Sequence, residues 1–165
     1  MEFLSNTSAW IKGEIFEAKL IVAFGVIVII IAAICWKFGV TPNAKGLVIS
    51  LFAAGLIYTS LGVSMLVSNQ KRKIVCSDKY AKNQHQFVLA EKTRVEGFQY
   101  MYLISKIVAT VFFTATLLIF WFSRSSLLQG CGIGMSVFAI AGLVIDHFSQ
   151  ERAEFYYQAI LKALQ

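Results

Sequence analysis

The sequence predicts an all-α integral membrane protein with four transmembrane helices in two antiparallel hairpins and helical extensions on the cytoplasmic side. Two observations carry this. Four runs of seventeen or more residues contain no charged side chain, and each is long enough for a bilayer whose core takes about 20 helical residues. The whole chain of 165 residues is 58% hydrophobic and only 15% charged, against about 25% charged in soluble domains.

The first span is assigned to residues 18–37. Its interior is rich in Ile and Val, which are stiff in helices, but in lipid every backbone amide must be satisfied internally and helix is the state that does so. Glu2, Lys12, Glu14, Glu17 and Lys19 precede it in place of a short basic segment, and no small-residue cleavage pattern follows, so the run reads as a retained span. The second span, 46–69, opens after Thr41-Pro42, where Thr41 can cap and Pro42 fits the first helical position. The third, 103–123, is aromatic at Phe112, Phe113, Phe120, Trp121 and Phe122. Trp121 and Trp36 are expected at one interface. The fourth, 126–146, follows after a tight link around Arg124 and Ser125.

Between the two hairpins, residues 70–102 form the longest polar stretch and are assigned as a cytoplasmic loop, with residues 147–165 as an amphipathic C-terminal extension. Helical periodicity persists around Trp10 to Phe16, Phe87 to Phe98 and Phe148 to Leu164, so helices should continue beyond the inner surface. One domain covers 1–165.

Orientation follows from Lys and Arg. With the central segment inside, the inner side holds Lys12, Lys19, Lys71, Arg72, Lys73, Lys79, Lys82, Lys92, Arg94, Lys106, Arg152 and Lys162; the outer links hold Lys37, Lys45 and Arg124. Twelve against three places both termini in the cytoplasm and the protein in the cell (inner or plasma) membrane. The net charge of +6 gathers at the edges of apolar runs, which points to lipid headgroups and away from nucleic acid.

The acids also gather at the inner end. Glu14 and Glu17 share one helical face, and His147, Glu151 and Glu154 share another, with Asp146 at the boundary. A divalent ion could be held by such groups, but the paired Glu-x-x-His pattern of di-iron bundles is missing. Ion pairs are expected instead, Arg152 with an acid of the first helix and Lys106 with Asp146 or Glu17. No metal or cofactor is expected. Lys71, Arg72 and Lys73 follow the second span directly, where each would contribute about 1 kcal/mol of attraction to anionic lipid.

Mid-membrane depth holds no ionisable residue, which disfavours a proton-coupled transporter. Tyr58, Thr59, Ser60, Ser64, Thr110, Thr114 and Thr116 could line an oligomeric pore, but interhelical packing is the simpler use of such hydroxyls. Gly130 and Gly134 form a G-x-x-x-G, and Gly55 lies four before Thr59; these mark close helix packing or self-association. Cys35 and Cys131 fall near the outer ends of their spans, so a disulfide between them is conceivable, with free thiols the preferred reading.

No recognised catalytic spacing occurs. The leading functional expectation is a non-enzymatic protein that binds another membrane component: a membrane-protein partner, or a second copy. Small four-span immunity proteins against membrane-inserting toxins share this size and topology, an analogy of architecture alone. A small oligomeric channel or carrier and an integral-membrane enzyme with a metal site at the inner interface are the alternatives.

Overall fold

A computed structural model describes residues 2–165. Four helices make up nearly all of it: α1 (Glu2–Phe38), α2 (Pro42–Lys82), α3 (Gln84–Phe122) and α4 (Ser126–Leu164). Each contains an 18-residue window apolar enough to cross a membrane. Their 37 to 41 residues correspond to roughly 55–60 Å at 1.5 Å per residue, about twice the ~30 Å hydrocarbon thickness. The surplus length lies at one end, where the N-terminal part of α1, the C-terminal part of α2, the N-terminal part of α3 and the C-terminal part of α4 meet.

Helix is expected around Phe87 to Phe98, but the reading of the rest of residues 70–102 as a loop is corrected by the structure. The segment is helical except at Asn83, which ends one helix and starts the next. Its backbone amide bonds to the Lys79 carbonyl at 3.3 Å, and its side chain accepts from the Gln86 amide at 3.0 Å. Polar composition suggested a loop; burial of Cys76, Phe87, Val88 and Val95 against the other helices is what holds the helical state. The expected cap at Thr41 is present, its hydroxyl accepting from the Ala44 amide at 3.2 Å.

Helix α2 packs along both α1 and α4, and α3 packs chiefly on α4; α1 with α4, and still more α2 with α3, touch only briefly. Hence only 6% of the α3 apolar window is buried within the molecule, against 33% for α2. Two apolar cores result. One joins Val28, Ala32, Leu51 and Ala54 in the spanning region. The other brings Phe3, Trp10, Ile11, Cys76, Phe87, Val88, Val95, Tyr156 and Ile160 together from all four helices in the extension.

Small residues set the closest crossings. A Cβ on Gly25 would stand 2.6 Å from the Thr59 nitrogen and 2.9 Å from the Gly55 carbonyl oxygen, so α1 and α2 meet backbone to backbone. Gly130 faces the Asn43 carbonyl of α2 and Gly134 faces Ser50. The residues expected to pack, Gly55, Gly130 and Gly134, are therefore used inside the bundle.

Candidate functional site: a charged core and the cleft beneath it

In the extension, buried positions follow heptad-like steps of four and three. On α1 they include Phe3, Thr7, Trp10, Glu14 and Glu17, with Ile11 and Ala18 beside them; on α3 they include Val88, Glu91 and Val95. Such a stripe must fill the bundle axis, and here several of its members are polar.

Glu91 is the centre. It is 6% exposed and accepts from Arg72 Nη2 at 3.0 and 2.9 Å, from Arg94 Nε at 3.2 Å and Nη2 at 2.9 Å, and from the Tyr156 hydroxyl at 3.0 Å. The Tyr156 oxygen is also 3.1 Å from Thr7 Oγ1. Both guanidinium groups lie over the Trp10 ring, at 5.2 Å for Arg72 and 4.5 Å for Arg94, and Trp10 stacks on Tyr156 at 5.1 Å. All four helices thus contribute to one network. Burial raises the Glu91 pKa, but hydrogen bonds and attraction from Arg94, then Arg72 and Tyr156, outweigh it and hold the carboxyl below its ordinary value. Burial, with Glu91 adding to it, drives the Tyr156 hydroxyl well above its ordinary value.

A second network joins α1 to α4. Arg152 Nη2 lies 3.2 Å from Glu14 Oε1 and also contacts Glu17, as expected for a cation of the fourth helix meeting an acid of the first. Burial outweighs attraction to Arg152 and raises the Glu14 pKa. Removing Arg152 would leave two buried carboxylates without a partner. Arg152→Met is expected to cost about 3 kcal/mol near neutrality. Because the Glu14 pKa, already raised by burial, would lose the attraction to Arg152 that lowers it, stability of the variant should recover as pH falls toward about 5. Thermal unfolding in detergent at the two pH values measures this.

The other charged residues do not converge. His147 and Glu151 are exposed and 3.7 Å apart on one face of α4, and Glu154 is exposed and accepts from Gln158 at 2.7 Å. Among the described residues no group of three or more His, Cys, Asp or Glu could hold a metal ion. Lys106, expected beside Asp146 or Glu17, instead reaches Gln150 Oε1 at 3.4 Å and is exposed, as its long stem permits. Lys71 and Lys73 are exposed and free to meet headgroups. Arg72 is not their equivalent: its guanidinium is turned inward to Glu91, although 21% of its side chain stays accessible.

Hydroxyls of the spanning region tie helices together. The Tyr58 hydroxyl donates to the Phe138 carbonyl at 2.7 Å, and the Thr116 hydroxyl lies 3.0 Å from the Gly132 carbonyl. All three cysteines are free; Cys131 Sγ lies 3.3 Å from the Gly46 carbonyl, because the N-terminal part of α4 packs on α2.

No protein-family model matches the chain, and no curated protein or solved structure is similar to it. Function has to be argued from the geometry alone.

That geometry contains one opening with mixed chemistry. The Arg72–Glu91 bridge links α2 to α3 near their Asn83 turn, and below it residues of all four helices line an open cleft of ≈510 Å³. Trp10, Glu14, Ser68, Asn69, Arg72, Arg94, Tyr102 and Asp146 line it. A second cavity of ≈320 Å³ continues toward the spanning region between Leu61 and Met65 of α2, Ile104 and Val108 of α3, and Phe138 and Gly142 of α4. Met65, Met101 and Asp146 belong to both walls, so the two are continuous. A larger groove of ≈690 Å³ between α1 and α4 is apolar apart from Glu17 and Arg152 at one end, which form an ion pair.

Sequence reasoning missed Glu91, Trp10 and Tyr156. The available signal was register: Glu91 stands three after Val88 and four before Val95, in the middle of an apolar stripe.

Proposed function

We propose that this chain is a non-catalytic multi-pass membrane protein whose four helices span the bilayer as two antiparallel hairpins, and that it receives another membrane component through the opening between α2 and α3. The excess of Lys and Arg supports placing the charged extension and both termini on the cytoplasmic face of the cell membrane. The observation that carries the binding reading is the two-part cleft, polar at the extension and apolar beside the spans, flanked by the helix pair in slightest contact. Cavities of roughly 300–1,000 Å³ with a few convergent polar groups are the usual form of a binding site. The close packing of α1 on α2, with α4 seated on both α2 and α3, favours a fixed scaffold with recognition at the α2–α3 opening.

A photo-crosslinking residue at Ile104, in the cleft, is expected to capture one defined molecular species from native membranes; the same residue at Ile30, on the exposed face of α1, should give only dispersed bulk-lipid adducts. Equal, dispersed labelling at both positions would remove the reading. In its narrowest form the occupant is a helix of a membrane-inserting toxin, and the protein an immunity factor. Protection of cells against a co-encoded toxin tests that form, and unaltered killing would rule it out.

A further inference from the structure

The two hairpins repeat one another at an offset of 84 residues, the step from Pro42 to Ser126. Helices α2 and α4 begin at those two residues, after Thr41 and Ser125, and α1 and α3 end at Phe38 and Phe122, the same step apart. Every buried residue of α3 except Val88 falls at this offset from a buried residue of α1, from Phe3 with Phe87 to Gly25 with Ala109. Few side chains are shared, Phe3 with Phe87 and Gly46 with Gly130 among them, so the repeat is one of packing. It also closes on itself as a two-fold. A Cβ on Gly46 would meet the Leu127 carbonyl and, at 3.1 Å, the Cys131 nitrogen; one on Gly130 would meet the Asn43 carbonyl and, at 2.9 Å, the Leu47 nitrogen. Asn43 with Leu127, and Leu47 with Cys131, are again pairs at the same offset, and reciprocal contacts of this kind mark an isologous interface. The Arg72–Glu91 bridge of α2 and α3 has its counterpart in the Tyr156–Thr7 hydrogen bond of α4 and α1.

The two-fold lays the α2–α3 seam on the α1–α4 seam. Leu61, Ile104 and Val108 of the one correspond to Ile145, Leu20 and Phe24 of the other. The seams differ at one level, where Ser68 and Met101 stand in place of Arg152 and Glu17. Past Ser68 a single cavity runs from Arg72 to Ser64. Along α1–α4 the space is in two parts, the apolar groove and a separate cavity of ≈320 Å³ beside Trp10 and Tyr156, and Arg152 lines both. Held by Glu14 and Glu17, it stands between them as a partition.

Resting on the lateral-entry reading above, we infer that Arg152 is the specificity-determining residue of the two seams: its ion pair with Glu17 divides the α1–α4 seam, and the lack of such a pair at Ser68 and Met101 lets the α2–α3 seam alone take an amphipathic guest, polar end in the extension and apolar body beside the spans. A guest lying across Arg152 would have to break the pair and leave buried carboxylates without a counter-charge, which is costly. One lying across Ser68 meets a hydroxyl and a thioether. Arg152 thus acts by exclusion and touches no guest itself.

The test moves the partition. A photo-crosslinking residue is placed in the full chain, in native membranes, at Ile104 or at its two-fold counterpart Leu20. In the wild type the defined adduct is expected at Ile104, and bulk-lipid adducts alone at Leu20. Ser68→Arg with Met101→Glu transplants the pair and should lower the defined adduct at Ile104 by about tenfold or more. Conversely, Arg152→Ser with Glu17→Met and Glu14→Gln opens the α1–α4 seam without stranding a carboxylate, and the same species should then be captured at Leu20. Circular dichroism and the unfolding temperature establish that each variant is folded. Were Arg152 only a tie between α1 and α4, the opened variant would lose stability and still give dispersed labelling at Leu20.

A defined adduct at Leu20 in the wild type, an undiminished adduct at Ile104 in the folded transplant, or dispersed labelling at Leu20 in the opened variant would each overturn the assignment while the lateral opening stands. Dispersed labelling at Ile104 in the wild type removes the opening, and the assignment with it.

Discussion

Glu91→Ala is expected to destabilise the extension by about 3 kcal/mol, the lower part of the range of about 3–5 kcal/mol for breaking a buried ion pair from one side. The lower part applies because Arg72 and Arg94 keep 21% and 29% of their side chains exposed and can recover some hydration. Removing the carboxylate leaves two guanidinium groups beside Trp10 without their counter-charge, and leaves the Tyr156 hydroxyl with Thr7 Oγ1 as its acceptor. The triple change Glu91→Leu with Arg72→Met and Arg94→Met should recover most of the loss, since an apolar replacement avoids the desolvation cost. Thermal unfolding followed by circular dichroism separates these variants; an unaltered midpoint for Glu91→Ala would show that the network is not what holds the extension.

The same residue sets an acid limit. The folded-state pKa of Glu91 is lowered, so its contribution is fully present above the ordinary carboxyl value and is lost as pH falls through the folded value. The wild-type midpoint should therefore drop at low pH, and that part of the drop should be missing in Glu91→Ala. Glu14 acts in the opposite sense: its pKa is raised, so its contribution grows as pH falls from the folded value to the ordinary one, above the interval in which that of Glu91 is lost.

Gly25→Leu should separate α1 from α2. The new side chain would start where a Cβ already stands 2.6 Å from backbone nitrogen of Thr59 and 2.9 Å from the Gly55 oxygen, atoms that cannot move without shifting a helix. Overpacking of this kind costs about 1–3 kcal/mol, occasionally more, and the spanning core of Val28, Leu51 and Ala54 lies one turn away. Gly97→Ala supplies the contrast. Nothing lies within 4 Å of its would-be Cβ, and exchanging an exposed helical glycine for alanine should stabilise by roughly 0.5–1 kcal/mol. If both substitutions lower the unfolding temperature equally, close approach at Gly25 is not what fixes the α1–α2 crossing.

The apolar runs were legible because lipid solvation leaves a backbone no alternative to helix; Leu20 to Trp36 could be read from composition alone. The Arg152 pairing was legible as well, since Glu14 and Glu17 share a face that needs a cation. The extension was harder. Lys71 to Lys82 looks like loop because its charges dominate its composition, and the buried face of that segment is carried by Cys76 with help from Tyr80. Glu91 was hidden for a related reason. A glutamate among Lys92, Arg94 and Glu96 reads as one more solvated charge until the phase of Val88 and Val95 is followed through it. The cleft could not be read at all, because the separation of α2 from α3 depends on how each packs against α4.

The one-residue turn at Asn83 and the Arg72–Glu91 bridge together clamp α2 to α3 at one end, like the rivet of a pair of tongs. From Glu91 to Val108 α3 runs about 25 Å at 1.5 Å per residue and is held to α4 along the way, Tyr102 to Ser149 and Lys106 to Gln150, so the width of the cleft beyond the rivet is set by how α4 seats both α2 and α3.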